Sequence, residues 1–109
     1  MRLLLDENLP KRLKQDYPEH EVFTVREKGW NSIKNGPLLQ LMLDEGFHAL
    51  LTFDKNLQHQ QNFTEYTLAV FVLIAPINRY VVLTELSPQV NAYLRQVPLP
   101  AGPIIIQLD

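Results

Sequence analysis

An α/β fold built on a mostly parallel five-stranded sheet is what this sequence predicts, from three observations. Short uninterrupted apolar runs, such as Leu3-Leu4-Leu5 and Leu68 to Ile74, read as strands buried on both faces. These runs alternate with segments that carry helical spacing and are bounded by Gly, Pro and Asn. The chain has 109 residues, 46% of them apolar, enough to bury a core as a single domain spanning residues 1–109.

Each element has its own local reason. Leu3-Leu4-Leu5 ends in Asp6 and forms the first strand. Asn8 is positioned to cap a helix that tolerates Pro10 in its first turn, places Leu9 and Leu13 on one face, and stops at Pro18. Glu21 to Val25 is the second strand. After a loop from Gly29 to Gly36, Pro37 starts a helix with Leu38, Leu39, Leu41 and Met42, and Gly46 ends it. His48 to Phe53 is the third strand, again followed by an acid, Asp54. A polar crossover over residues 55–67 leads into the fourth strand, Leu68 to Ile74. A helical region opens at Asn78 or Arg79 and is interrupted at Ser87-Pro88. Val90, Tyr93, Leu94 and Val97 then make a helical stripe for core packing. Ile104-Ile105-Ile106 is the fifth strand. A first strand at the centre with the third beside it would suit the acids, but the sequence leaves other orders open.

Composition excludes several classes. With no cysteine, disulfides, zinc–thiolate sites and thiol nucleophiles are all absent. The longest apolar stretch is far short of the roughly 20 residues a membrane helix needs, and the opening apolar segment is too short for a signal peptide. The expectation is a cytoplasmic protein without membrane contact. The net charge of −2, from 10 basic and 12 acidic residues, argues against a strongly cationic nucleic-acid binder. Most of the basic residues nevertheless fall in the first 34 positions (Arg2, Lys11, Arg12, Lys14, Arg26, Lys28 and Lys34), which allows either a local basic face or simple solvation.

Chemistry is expected where strands end, because open parallel sheets bind ligands at the carboxyl ends of their strands. Asp6 and Asp54 both lie there. On neighbouring strands about 4.8 Å apart their carboxylates converge, and two such charges need a proton or a cation between them. Mg²⁺ or Mn²⁺ suits an all-oxygen, water-rich site. Glu7 adds a third acid, and Asn8 and Asn56 add neutral oxygens. Helix capping and turn formation explain the same residues without any ligand. Ser32 and Ser87 lack a nucleophile elbow, the four glycines form no phosphate loop, and His20 and His48 pair with no nucleophile. Trp30 suits either a lid on the core or a stacking platform for a base. Gln58-His59-Gln60-Gln61-Asn62 suits either a solvated crossover or an RNA groove.

Five segments carry a family resemblance: Leu-Leu-Leu-Asp-Glu-Asn-Leu-Pro at 3–10, Val-Arg-Glu-Lys-Gly-Trp at 25–30, Lys-Asn-Gly at 34–36, Leu-Thr-Phe-Asp-Lys-Asn-Leu at 51–57, and Asn-Leu-Gln-His-Gln-Gln-Asn at 56–62 with the apolar strand that follows. Together they resemble the DUF5615 family of PIN-like domains over most of the chain, to about Asn78. The resemblance implies a PIN-like three-layer sandwich and a Mg²⁺- or Mn²⁺-dependent ribonuclease, often the toxin of a toxin–antitoxin pair. RNA would be the substrate and a cognate antitoxin the partner. Asp6 and Asp54 would then be the metal-binding and catalytic acids, with Glu7 assisting. Arg26, Lys55, Asn56 and Asn35 would face the substrate. The sequence departs from that pattern at Asn35-Gly36-Pro37, where many relatives place an acid, and Asp44 and Glu45 fall at the far end of the helix.

Two other readings are open. A degenerate PIN-like domain would serve as a docking module, with a homodimer or an antitoxin on its last helix. A receiver-like domain would use Asp54 as phosphoacceptor and Asp6-Glu7 for Mg²⁺. Receivers also place Ser or Thr after the fourth strand and Lys after the fifth, where this chain has Ile74-Ala75-Pro76 and Gln107-Leu108-Asp109.

Overall fold

The computed structural model describes residues 1–57 and 66–108. Its sheet has five strands: β1 (Arg2–Leu5), β2 (Glu21–Thr24), β3 (Ala49–Thr52), β4 (Ala69–Ile74) and β5 (Gly102–Gln107). All four pairings are parallel and the order is β2-β1-β3-β4-β5. The α/β class is therefore as expected, with β3 rather than β1 in the middle. Leu5 stands opposite Leu51, so β1 and β3 end side by side.

Burial follows from position in the sheet. Leu3 to Leu5, Ala49 to Thr52 and Ala69 to Leu73 are buried along their whole length, since β1, β3 and β4 are covered on both faces. One face packs Leu5, Leu51, Phe71 and Ile106 against Leu13, Tyr17, Leu83, Leu86, Val90 and Leu94. The other packs Leu4, Leu50, Val70 and Val72 against Leu38, Leu39, Met42 and Leu57. At the edge, β5 alternates buried and exposed, so Ile105 is 41% exposed although Ile104 and Ile106 are buried.

The helical elements differ from expectation in detail. Lys11–Asp16 is a 3₁₀ helix whose N-cap is Pro10, not Asn8. Asn8 instead sits in a turn closed by the Leu9 N–H on the Asp6 carbonyl (3.0 Å). Helix α1 (Asn35–Asp44) starts two residues before Pro37. It ends as expected at Gly46 (φ 77°). The N–H groups of Gly46 and Phe47 bond the carbonyls of Leu43 and Met42, while Phe47 and Met42 share one core cluster. Helix α2 (Tyr80–Leu83) passes through a 3₁₀ turn (Thr84–Leu86) into α3 (Ser87–Leu94), with Pro88 in the first turn. Val97 does not belong to the α3 stripe. It lies beyond the helix end and is 94% exposed.

The three connections that lie wholly in the described residues do not share one hand. The β1–β2 link crosses the first face, and the β2–β3 link crosses the second in the opposite direction, which is the same hand. The β4–β5 link runs in that same direction but over the first face, so its hand is opposite.

Both sheet edges are blunted. On β2, the outward N–H of Thr24 bonds Glu27 Oε1 (2.8 Å) and its carbonyl accepts from Lys28 (3.2 Å). On β5 the Gly102 N–H turns inward to Leu68, which leaves Pro103, Ile105 and Gln107 facing out. Pro103 has no N–H, and the Gln107 carbonyl accepts from Gln89 Nε2 (2.8 Å). Asp16 ties the first 3₁₀ helix to the far side of this layer. Its carboxylate accepts from Tyr80 (2.7 Å), Thr84 (2.7 Å) and Ser87 (2.6 Å). Tyr17 donates to Ser87 beside it, and burial, the main cause, pushes its pKa up to about 12.

Candidate functional site

The order β2-β1-β3-β4-β5 reverses direction between β1 and β3, since β1 leads outward to β2 and β3 leads the other way to β4. Two connections that depart in opposite directions leave a crevice at the carboxyl ends of the strands between them. Asp6 and Asp54 stand on its two sides.

Each acid opens the same kind of turn. Asp6-Glu7-Asn8-Leu9 and Asp54-Lys55-Asn56-Leu57 share an Asp-x-Asn-Leu pattern. In both, the Leu N–H bonds the Asp carbonyl, at 3.0 Å and 3.3 Å. Leu9 then anchors in the first core cluster and Leu57 in the second. The two turns thus roll to opposite faces of the sheet and leave their acids at the rim, where both are half-buried.

Thr52 joins the pair. Its Oγ1 donates to Asp6 Oδ2 at 2.6 Å, a charge-assisted distance. The same oxygen accepts the Asp54 N–H at 3.0 Å. The Asp6 N–H extends the ladder to the Leu51 carbonyl (2.9 Å), and Asp6 Oδ1 accepts the Glu7 N–H (2.8 Å). Asp54 Oδ1 accepts the Asn56 N–H (2.9 Å), which is an Asx turn. Both carboxylates are held by groups with little freedom, as metal-ligating carboxylates are. Thr52 is fully buried and is the positioning residue that sequence reasoning passed over. The available signal was a hydroxyl residue at the last position of an otherwise apolar strand.

The other expected residues divide into groups. Glu7 is exposed, and its Oε1 accepts the N–H of Ser32 (3.3 Å) from the loop before α1. Asp6, Glu7, Lys11 and Arg26 together line a cleft of about 230 Å³. Lys11 joins Arg26 there, although sequence reasoning had treated it only as part of a general basic bias. Arg26 is carried by a reciprocal capping box, in which Glu27 N–H donates to Thr24 Oγ1 (3.0 Å) and Thr24 N–H to Glu27 Oε1. Lys14 adds two contacts of 2.9 Å to Glu27. That ammonium, with the Thr24 N–H next in weight, holds the Glu27 carboxyl below its ordinary pKa. Lys55 lines a different cavity, at the ends of β4 and β5. Asn56 is exposed on the Asp54 turn, and Asn35 opens α1. Asp44 and Glu45 lie at the other end of α1, where Glu45 pairs with Lys28 (2.9 Å). Trp30 packs half-buried against Phe47 (5.8 Å), as a lid on the core. The run Gln58 to Asn62 lies outside the described residues.

A hard divalent ion fits the donor set in kind. Asp6 and Asp54 offer carboxylate oxygens, and the Asn8 carbonyl in the Asp6 turn accepts from Asn78 Nδ2 (2.6 Å). Asn78 Oδ1 is buried and has no hydrogen-bond partner among the described residues. Among those residues no three His, Asp or Glu side chains gather as one metal-sized group. A cation held here would complete its shell with water and substrate oxygens, as Mg²⁺ commonly does.

No protein-family model matches the chain, and no match is found among curated proteins or solved structures. No helix among the described residues is long and apolar enough to cross a membrane.

Proposed function

We propose that the chain acts on RNA as a Mg²⁺- or Mn²⁺-dependent ribonuclease of PIN-like type, with Asp6 and Asp54 as the acids that hold the ion. The observation that carries this reading is that Thr52, at the reversal point of the sheet, bonds the Asp6 carboxylate and the Asp54 backbone N–H and so ties the two acids' positions together. A bound ion would lower the pKa of its water and offset charge on the phosphate. The chain's own groups do the rest. Thr52 fixes the Asp6 carboxylate, and the turn at Asn56 fixes that of Asp54. Arg26 and Lys11 line the adjoining cleft and would bind the phosphate backbone there. The toxin role and a cognate antitoxin belong to this proposal through the family resemblance.

The test is Mn²⁺ calorimetry on the native chain, Asp6→Asn and Asp54→Asn, followed by cleavage of single-stranded RNA. Either substitution removes one anionic ligand, so binding should fall by at least about tenfold. Unchanged affinity in both variants would sink the shared site. The receiver reading shares the sheet order, but neither Ile74-Ala75-Pro76 nor Gln107-Leu108 supplies its hydroxyl or its lysine. The docking-module reading draws on the two-acid set. It would prevail if the native chain bound no ion with or without RNA.

A further inference from the structure

The carboxyl edge of the sheet has a second concavity, separate from the cleft beside Asp6. Ile74, Pro76, Val82 and Leu108 line a cavity of about 350 Å³ where β4 and β5 end, with Lys55 and Gln107 as its polar groups. Its walls come from the strand ends on one side and from α2 on the other. Lys55 follows Asp54 directly in the chain, so one residue, about 3.8 Å of backbone, separates the acid site from the cavity.

Neighbouring strands stand about 4.8 Å apart, so the edge presents a short row of groups. Arg26 lies just beyond the end of β2, Asp6 and Asp54 at β1 and β3, Lys55 next, and the apolar hollow at β4 and β5. The volume lies at the low end of the small-molecule range of about 300–1,000 Å³, which suits one nucleoside and admits no duplex. A nucleotide matches the cavity in charge as well as in size. Its base and ribose offer apolar faces to aliphatic walls, and its phosphate is an anion for the lysine.

We infer that this cavity takes the base and ribose of one nucleotide of the substrate, with Lys55 against its phosphate. The inference rests on the reading of the chain as RNA-acting and says which part of the substrate lies beyond Asp54. Besides Lys55, Gln107 is the only polar lining residue among the described residues, so purine and pyrimidine nucleotides bind with similar affinity.

The test needs no metal. Adenosine 5′-monophosphate, uridine 5′-monophosphate and adenosine are titrated into the full chain in EDTA, with amide shifts followed by NMR. The expected result is binding of all three, with shifts concentrated at residues 74, 75, 82 and 107–108. Lys55→Ala should weaken the two nucleotides by about tenfold, the scale of one charge-assisted contact, and leave adenosine unchanged. Val82→Trp should fill the hollow and abolish all three. Leu108→Trp, at a rim position 52% exposed, is the second blocking variant should Val82→Trp fail to fold. Asp6→Asn should change none of the three affinities.

Binding that survives both blocking variants, or no shift at these residues, would overturn the inference. Absent nucleotide binding with Mn²⁺ binding intact would remove the cavity and leave the acid pair standing. Lost Mn²⁺ binding in Asp6→Asn with nucleotide affinity intact supports two separate subsites.

Discussion

Replacing Thr52 with valine changes shape hardly at all and removes one oxygen. That oxygen donates to Asp6 Oδ2 at 2.6 Å and accepts the Asp54 N–H at 3.0 Å. A hydrogen bond to a charged group contributes about 1.5–3 kcal/mol, and an abandoned donor at a half-buried site costs about 1 more. The expected loss is about 3 kcal/mol, or roughly 12 °C in Tm for a domain of this size. Thr52→Ser keeps the oxygen and gives up one buried methyl, for about 1 kcal/mol. The comparison discriminates because burial and strand propensity both rank valine above serine at a fully buried strand position. Urea unfolding of the three proteins, with equal m-values, measures it. Valine as stable as serine would refute the argument that the hydroxyl joins the two acids. Mn²⁺ affinity supplies a second readout, with a drop of about 10–100-fold expected for valine and little change for serine.

Asp16→Ala strips the shared acceptor from Tyr80, Thr84 and Ser87, and with Ser87 buried the expected loss is about 2–4 kcal/mol by urea unfolding. A variant within 0.5 kcal/mol of the native chain, about the scatter of a neutral surface change, would show that the tether contributes nothing. Because the Glu27 pKa is depressed below its ordinary 4.5, its contribution is complete above that pH and is lost as pH falls through the lower folded value. Lys14→Met should therefore flatten the acid limb of the stability curve, by a small amount since the pair is about one-third exposed. An unchanged acid limb would place the acid sensitivity elsewhere.

The central strands were legible because they are buried on both faces and therefore read as unbroken apolar runs. The same rule misleads at β5. Ile104-Ile105-Ile106 looks like a strand covered on both sides, yet Ile105 is 41% exposed. The β4–β5 connection crosses the opposite face from the one its direction predicts, and no periodicity in the sequence encodes the hand of a crossover. The Asp16 tether was equally hidden. Its hydroxyl partners lie 64 to 71 positions away and are ordinary helix-start residues when read alone.

The acid pair was legible for a more particular reason. A strand that must end at the rim, turn and re-enter the core needs an acceptor at its end and an apolar anchor three residues later. Asp-x-Asn-Leu supplies both, and the chain uses it at 6–9 and again at 54–57. Two copies of one turn, anchored in opposite core clusters, place their first residues on the two sides of the reversal point whatever else the chain does. Capping and ligand readings of Asp6 and Asp54 are therefore not rivals. The backbone carbonyls close the turns, while both Asp6 carboxylate oxygens and Asp54 Oδ1 each accept a single bond among the described residues. A carboxylate oxygen has two lone-pair sites, so capacity for a cation remains after the structural duty is met. Asp6→Asn and Asp54→Asn both keep the carbonyls that close the turns, and Asp54→Asn keeps an oxygen for the Asn56 N–H, while Asp6→Asn retains one of its two side-chain acceptors. For that reason they separate the two roles, with the turn kept and the ion lost.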